Sequence, residues 1–137
     1  MFSRGKYWDN ALDNNACVFW SIPADRVVAE NSLAYAIRDK FHVTDGHLLV
    51  IPKRHAENYL SLTQDELLAC DGLLRKLRDD FRDKDSSVDG FNIGMNAGEV
   101  AGQTVSHCHI HLIPRREGDV DDPRGGIRNV IPGKRKY

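Results

Sequence analysis

Short apolar runs, each closed by a turn residue, flank one long stretch of helical period. Residues 25 to 31 (DRVVAEN) and 32 to 39 (SLAYAIRD) read as two short strands joined by a turn at Glu30-Asn31-Ser32. KFHVTDG then forms a loop ending in the turn pair Asp45-Gly46. His47 to Ile51 is a continuous apolar strand closed by Pro52. Within TQDELLACDGLLRKLRDDFRDK the period changes to that of a helix. Thr63 with Glu66 three residues on is a capping box, which makes Thr63 the N-cap. Leu67, Leu74, Leu77 and Phe81 fall on one stripe, with Cys70 and Leu73 beside it as core residues. Asp71, Arg75 and Asp79 are spaced for helical ion pairs on the outer face. DGFNIGMNAG (89 to 98) reads as a strand, AGEVAGQT (97 to 104) as a glycine loop, and VSHCHIHLIP (105 to 114) as a last strand closed by Pro114. Residues 1 to 16 are polar and poorly patterned, and the tail from 117 to 137 is irregular. Strands, then a helix, then strands predict an antiparallel α+β domain rather than a doubly wound one.

Size and charge narrow the classes. The 137 residues make one domain, with its core expected over about 17–116. The net charge of −1 argues against general nucleic-acid binding. No apolar run approaches the roughly 18 residues that cross a membrane, and the N-terminus lacks a signal-peptide core. Three cysteines form no paired framework, so a reducing cytoplasm is expected. From Ile113 onward, seven Lys/Arg stand against four Asp/Glu, which reads as a solvated tail.

Half of the six histidines lie in SHCHIHLIP, at positions 107, 109 and 111. On a strand, alternate side chains share a face, so the three histidines point one way and Cys108, Ile110 and Leu112 the other. A polar face that merely uses histidine is the plainest reading, but three in register is a pointed pattern. Three histidines are also a zinc ligand set, yet on a strand the outer pair stands roughly 13 to 14 Å apart. A third reading is nucleophilic. Neutral imidazole can attack phosphorus if one ring nitrogen keeps its lone pair while the other donates to a fixed acceptor. The loop just upstream suits an anion: Gly98 and Gly102 allow close approach, the amides near Gly102, Gln103 and Thr104 can point at a phosphate, and the Gln103 and Thr104 side chains add donors.

HCHIHLI resembles the signature of the histidine-triad (HIT) family of nucleotide hydrolases and transferases. NAGEVAGQTVSH is similar to that family's glycine–glutamine segment, GHLLVIPKRH to its strand ending in Pro-Lys-x-His, and, more loosely, CVFW to its opening. The resemblance spans roughly residues 17 to 116. It implies a mainly antiparallel five-stranded sheet with one long and one short helix, extended by homodimerisation. It implies His109 as nucleophile on an α-phosphorus, His111 as donor to the phosphate or leaving group, and His107 as support. Asn96, Gly102, Gln103 and Thr104 fall on phosphate and sugar positions, Asp39 on a ribose position, and Lys40 beside it offers only its backbone. Hydrolysis of a dinucleoside polyphosphate or a nucleoside phosphoramidate would then pass through a nucleotidyl-histidine and release a nucleoside monophosphate, AMP being expected. Asn96 looks like the phosphoramidase branch and Pro114-Arg115 like the dinucleotide branch, while His111 departs from the uridylyltransferase branch. No metal is expected in the chemistry. The family's structural zinc finds Cys17, His55 and His107 here, but Trp20 replaces the second cysteine, so zinc is not expected. A nucleotidyltransferase, a nucleotide-binding regulatory module and a metal-binding protein are the alternatives.

Overall fold

The computed structural model describes residues 17–136. The polar stretch at 1–16 lies outside the described residues. Five strands and one α-helix carry the fold: β1 (Val27–Glu30), β2 (Ala34–Arg38), β3 (Leu48–Pro52), α1 (Gln64–Lys84), β4 (Val88–Gly94) and β5 (Ile110–Arg116). All neighbouring strands are antiparallel, in the order β1-β2-β3-β5-β4. Among the described residues the expected short helix appears only as 3₁₀ turns, at Val18–Ser21, Ala24–Arg26, Tyr59–Ser61, Glu99–Ala101 and Ile127–Val130. No helix among the described residues is long and apolar enough to cross a membrane.

Sequence explains why β2 and β3 are buried along almost their whole length. Their alternate residues serve two layers. Ala34, Ala36, Leu48 and Val50 meet Cys70, Leu73 and Leu77 of α1 on one face. Tyr35, Ile37, Leu49 and Ile51 meet Cys17, Val18 and Phe19 on the other. The Tyr35 hydroxyl donates to the Phe19 carbonyl and pins that second layer. A strand covered on both faces reads as a continuous apolar run rather than an alternating one.

The capping box at Thr63 and Glu66 forms as expected, with both reciprocal bonds present. The buried stripe of α1, however, is Glu66, Cys70, Leu73 and Leu77, while Leu67, Leu74 and Phe81 flank it. The centre of the stripe is therefore rotated from the expected one. Its first member is a carboxylate, hidden from an apolar-pattern reading, and Arg54 makes its burial tolerable through two bonds of 2.9 and 2.8 Å.

The last strand starts later than expected, at Ile110 rather than 105. Its ladder with β3 runs from Leu48–Leu112 to Val50–Ile110. Beyond that point β3 ends in Pro52, which has no N–H to give. The Cys108 amide turns instead to the Ala56 carbonyl at 2.7 Å. Residues 105–109 are thus irregular backbone, yet Cys108, Ile110 and Leu112 still enter the core beneath α1.

The loop from Asp39 to His47 is closed by the Asp39 amide donating to the His47 carbonyl (3.0 Å) and by Thr44 Oγ1 donating to the Pro114 carbonyl (2.9 Å). Gly46 makes its last turn at φ +92°, and a Cβ there would stand 2.7 Å from Phe81 Cε1. Conformation and space both demand glycine. Gly46→Ala is expected to lose about 2 kcal/mol of stability, as measured by chemical denaturation.

Candidate active site

His107 and His109 from the lead-in to β5, His111 on β5 and His47 immediately before β3 converge on the sheet face away from α1. His107 is fully buried. Its Nε2 donates to the Pro52 carbonyl at 2.8 Å, so Nδ1 faces Cys17 Sγ at 3.1 Å as an acceptor. Burial holds this imidazole at about 4 and raises the Cys17 thiol, so both are neutral at pH 7.

His109 is 9% exposed. Its Nδ1 stands 2.8 Å from the His107 carbonyl, an acceptor only, so Nδ1 carries the proton and Nε2 the lone pair. Burial lowers its pKa from the usual value, which keeps it neutral at pH 7. These are the properties a nitrogen nucleophile needs. His107 contributes to them through its backbone oxygen.

His111 lies on β5, its ring centroid 5.6 Å from that of His109. Its Nδ1 is 2.9 Å from His47 Nε2. His47 Nδ1 accepts the Val43 amide at 3.2 Å. A proton must then sit on His47 Nε2, His111 Nδ1 must accept it, and His111 Nε2 must carry a proton of its own. The chain of bonds therefore presents an N–H donor at His111. Burial brings this imidazole down to about 4, and His47 is lowered as well, again chiefly by burial. Nitrogen-detected NMR is expected to show the Nε2–H tautomer of His111. His47→Phe should release that preference, with turnover reduced about tenfold or more.

His47 is the site residue that sequence reading missed. Its signal was there: a histidine opening an otherwise apolar buried strand, directly after the Asp-Gly turn. Asp39, at the end of β2, is 6% exposed. Its Oδ1 accepts the Phe41 amide (2.8 Å), and Oδ2 lies 3.5 Å from His47 Nε2 and 3.9 Å from His111 Nδ1. Lys40 is exposed beside it.

The glycine loop differs from expectation. Gln103 Oε1 accepts the Gly98 amide (2.8 Å), and its Nε2 donates to the carbonyls of Glu57 (2.6 Å) and Val105 (2.9 Å). The Gly102 and Gln103 amides bond to Glu99 and Gly98 carbonyls. Gln103 thus braces the loop with its side-chain amide, and Gly102 makes its turn, at φ +96°. A backbone that needs its own carbonyls capped uses the amide first. Among the described residues Thr104 makes no such bond, so its amide and hydroxyl are among the donors this loop offers. Asn96 is exposed, its Nδ2 3.7 Å from the position a Gly102 Cβ would take.

Cys17, His55 and His107 bring one ligand atom each within 4.8 Å of one another, as do Asp39, His47 and His111. For a structural zinc the first set supplies three corners of a tetrahedron. Trp20, which stands in sequence where a second cysteine would, packs its ring 5.2 Å from His55 and has no atom to coordinate with. The Cys17 thiol and His107 Nδ1 also satisfy one another directly. The residues do not fit a closed four-ligand site.

Residues 22–118 match the family description HIT domain. The chain belongs to the HIT family. A solved HIT family protein from Bacillus anthracis is 40% identical, covers 68% of this chain and 66% of its own, and superimposes with a TM-score of 0.62. The adenosine 5′-monophosphoramidase HNT1 of Saccharomyces cerevisiae is 30% identical over 74% of this chain and 64% of its own length. The asymmetrical bis(5′-nucleosyl)-tetraphosphatase of Schizosaccharomyces pombe is 39% identical over a shorter stretch, 58% of this chain and 43% of its own. The five-stranded antiparallel sheet and one long helix found here match the fold of solved HIT proteins.

Proposed function

We propose that this HIT protein is a nucleotide hydrolase acting at the α-phosphorus of a nucleoside phosphoramidate or a dinucleoside polyphosphate. The carrying observation is the 2.8 Å bond from His109 Nδ1 to the His107 carbonyl, which leaves the lone pair on Nε2 of a neutral imidazole. His109 Nε2 attacks phosphorus, a nucleotidyl-histidine forms, and water then releases the nucleoside monophosphate, AMP where the base is adenine. His111 donates its Nε2–H to the phosphate and leaving group. Substrate charge beside it favours uptake of a further proton, which the Asp39 carboxylate balances through the His47–His111 pair. Thr104 and Asn96 take phosphate oxygens. Asp39 takes the ribose hydroxyls with the lone pairs that Phe41 and the histidines leave. The chemistry runs on histidine alone, and an ion at Cys17, His55 and His107 would be structural.

The names of the yeast and fission-yeast relatives, a phosphoramidase and a tetraphosphatase, support both substrate classes. The test is incubation with an adenosine phosphoramidate and with diadenosine tetraphosphate, followed by quenching and mass measurement. AMP release with an adenylyl group on the peptide containing His109 is expected. Tight AMP binding with no turnover of either would show a binding module instead. We also infer a homodimer joined along β4, an edge strand of the sheet whose Ile93 is half exposed, and a cytoplasmic location, which the three free cysteines favour.

A further inference from the structure

The side chains of Cys17, His55 and His107 have no part in the proposed hydrolysis, and they lack the fourth ligand of a closed zinc site. The three that remain are nonetheless well ordered. His107 donates its Nε2–H to the Pro52 carbonyl, so its Nδ1 lone pair faces Cys17 Sγ at 3.1 Å. A backbone acceptor on the far nitrogen is what fixes a ligating imidazole in place. Cys17 immediately precedes the turn Val18–Ser21. Burial raises its thiol, and the Phe19 and Trp20 amides oppose that rise by bonding to the sulfur and favouring the thiolate. His55 is exposed, its ring edge-on to that of His107 at 4.9 Å. An ion can enter on that side.

Donor type and charge decide which ion suits the cluster. One thiolate and two neutral imidazoles carry a single negative charge, and no carboxylate belongs to the set. Zinc would leave a net charge of +1 on it and a fourth position for water to fill. Cys17 is 7% exposed and His107 0%. An uncompensated charge beside two such buried ligands is costly. A singly charged ion cancels the thiolate. Cu(I) is such an ion: it is soft, is selected by thiolate, and is satisfied by three donors in one plane. Trp20, 5.2 Å from the His55 ring and 6.5 Å from that of His107, adds an aromatic face and no lone pair. Nitrogen and sulfur donors on one ion stand roughly 3.6 to 3.8 Å apart at ordinary ligand bond lengths. The Cys17–His107 contact therefore has to open only slightly, and all three donor atoms already lie within 4.8 Å of one another.

We propose that Cys17, His55 and His107 form a three-coordinate Cu(I) site, and that the indole of Trp20, standing in sequence where a fourth ligand would, turns the set away from zinc. Binding exchanges the Cys17 S–H for a Cu–S bond. The proton leaves to solvent, and no electron is transferred. His107 keeps its bond to Pro52, and its carbonyl still receives His109 Nδ1.

Anaerobic titration of the metal-free protein with Cu(I), in competition with a bidentate Cu(I) chelator, checks this. One equivalent is expected to bind, and X-ray absorption should report three donors, one of them sulfur. Cys17→Ser should weaken Cu(I) binding at least 100-fold. His55→Ala, at an exposed position that leaves the core intact, should weaken it at least tenfold. Trp20→Cys, which supplies the fourth ligand, should raise zinc affinity at least 100-fold. Failure of the native protein to take up Cu(I) overturns the proposal. So does zinc held by the native protein as tightly as by Trp20→Cys. Cu(I) binding that survives both Cys17→Ser and His55→Ala would assign the ion to Cys70 or Cys108 and refutes it as well.

Discussion

His109→Ala is expected to lower kcat by about 10⁴-fold or more while AMP still binds and the protein still folds. The size follows from what is removed. No other imidazole of the cluster offers the same lone pair in the same place: His107 Nδ1 faces Cys17, and His111 Nδ1 faces His47. Neither can stand in for the missing nitrogen without rotating out of a buried hydrogen bond. The fold survives because the His109 ring borders the proposed substrate site and donates to the His107 carbonyl, which water can then reach. Single-turnover kinetics and AMP titration on the same preparation check both halves. Turnover within tenfold of the native protein would remove His109 from the role of nucleophile, and loss of the cooperative unfolding transition would make the kinetic result uninformative about chemistry. His109→Gly, which leaves the same backbone bonds intact, then serves as the second variant.

Arg54→Ala is expected to destabilise the protein at pH 7, and Glu66→Gln by clearly less. The Glu66 side chain is 5% exposed and Arg54 53%, so the exposed partner protects the buried one. Removing the arginine leaves a carboxylate inside the helix–sheet layer with only the Thr63 cap bonds. Removing the charge from Glu66 strands nothing, because the amide can still cap Thr63. The pH dependence separates the two causes. Arg54 holds the Glu66 carboxyl down to about 2, below its unfolded value of 4.5. The stabilisation is therefore fully present above pH 4.5 and lost as pH falls towards 2. In Arg54→Ala that acid loss should largely vanish, so the gap between variant and native protein closes between pH 4.5 and 2. A gap that stays constant over this range would assign the loss to packing instead. Turnover should also fall. Arg54 anchors the segment whose Ala56 and Glu57 carbonyls hold Cys108 and Gln103, and with them the approach to the triad.

Sequence reasoning reached the elements with strong local signals. The Thr63 cap, the apolar β3 run and the Asp45-Gly46 turn are decided by residues near one another in the chain, and all three appear in the fold. Belonging to the HIT family was legible in the same way, from the spacing of His107, His109 and His111. What escaped depends on partners far apart. The start of β5 is set by Pro52, more than fifty residues earlier. The side chain of Gln103 is used by Glu57, at a separation no motif encodes. His47 joins His111 across 64 residues, and the stripe on α1 is rotated because Arg54 makes a buried Glu66 tolerable. The tail reads as irregular from its glycines and prolines, yet Val120 and Ile127 line a cleft beside His111.

The closure of the Asp39–His47 loop bears on how such a protein could diversify. One backbone rung, the Asp39 amide on the His47 carbonyl, ties the acid assigned to the sugar to the imidazole that sets the His111 proton. A mutation that adjusts the fit of one must shift the other, so most changes on that flank would be penalised twice. The opposite flank is built from separate parts: Gly94, with open space above it, and the tail, held to β5 by Asp119. Variation there leaves the Asp39, His47 and His111 chain of bonds untouched. Divergence within this architecture is therefore expected to accumulate in the C-terminal segment.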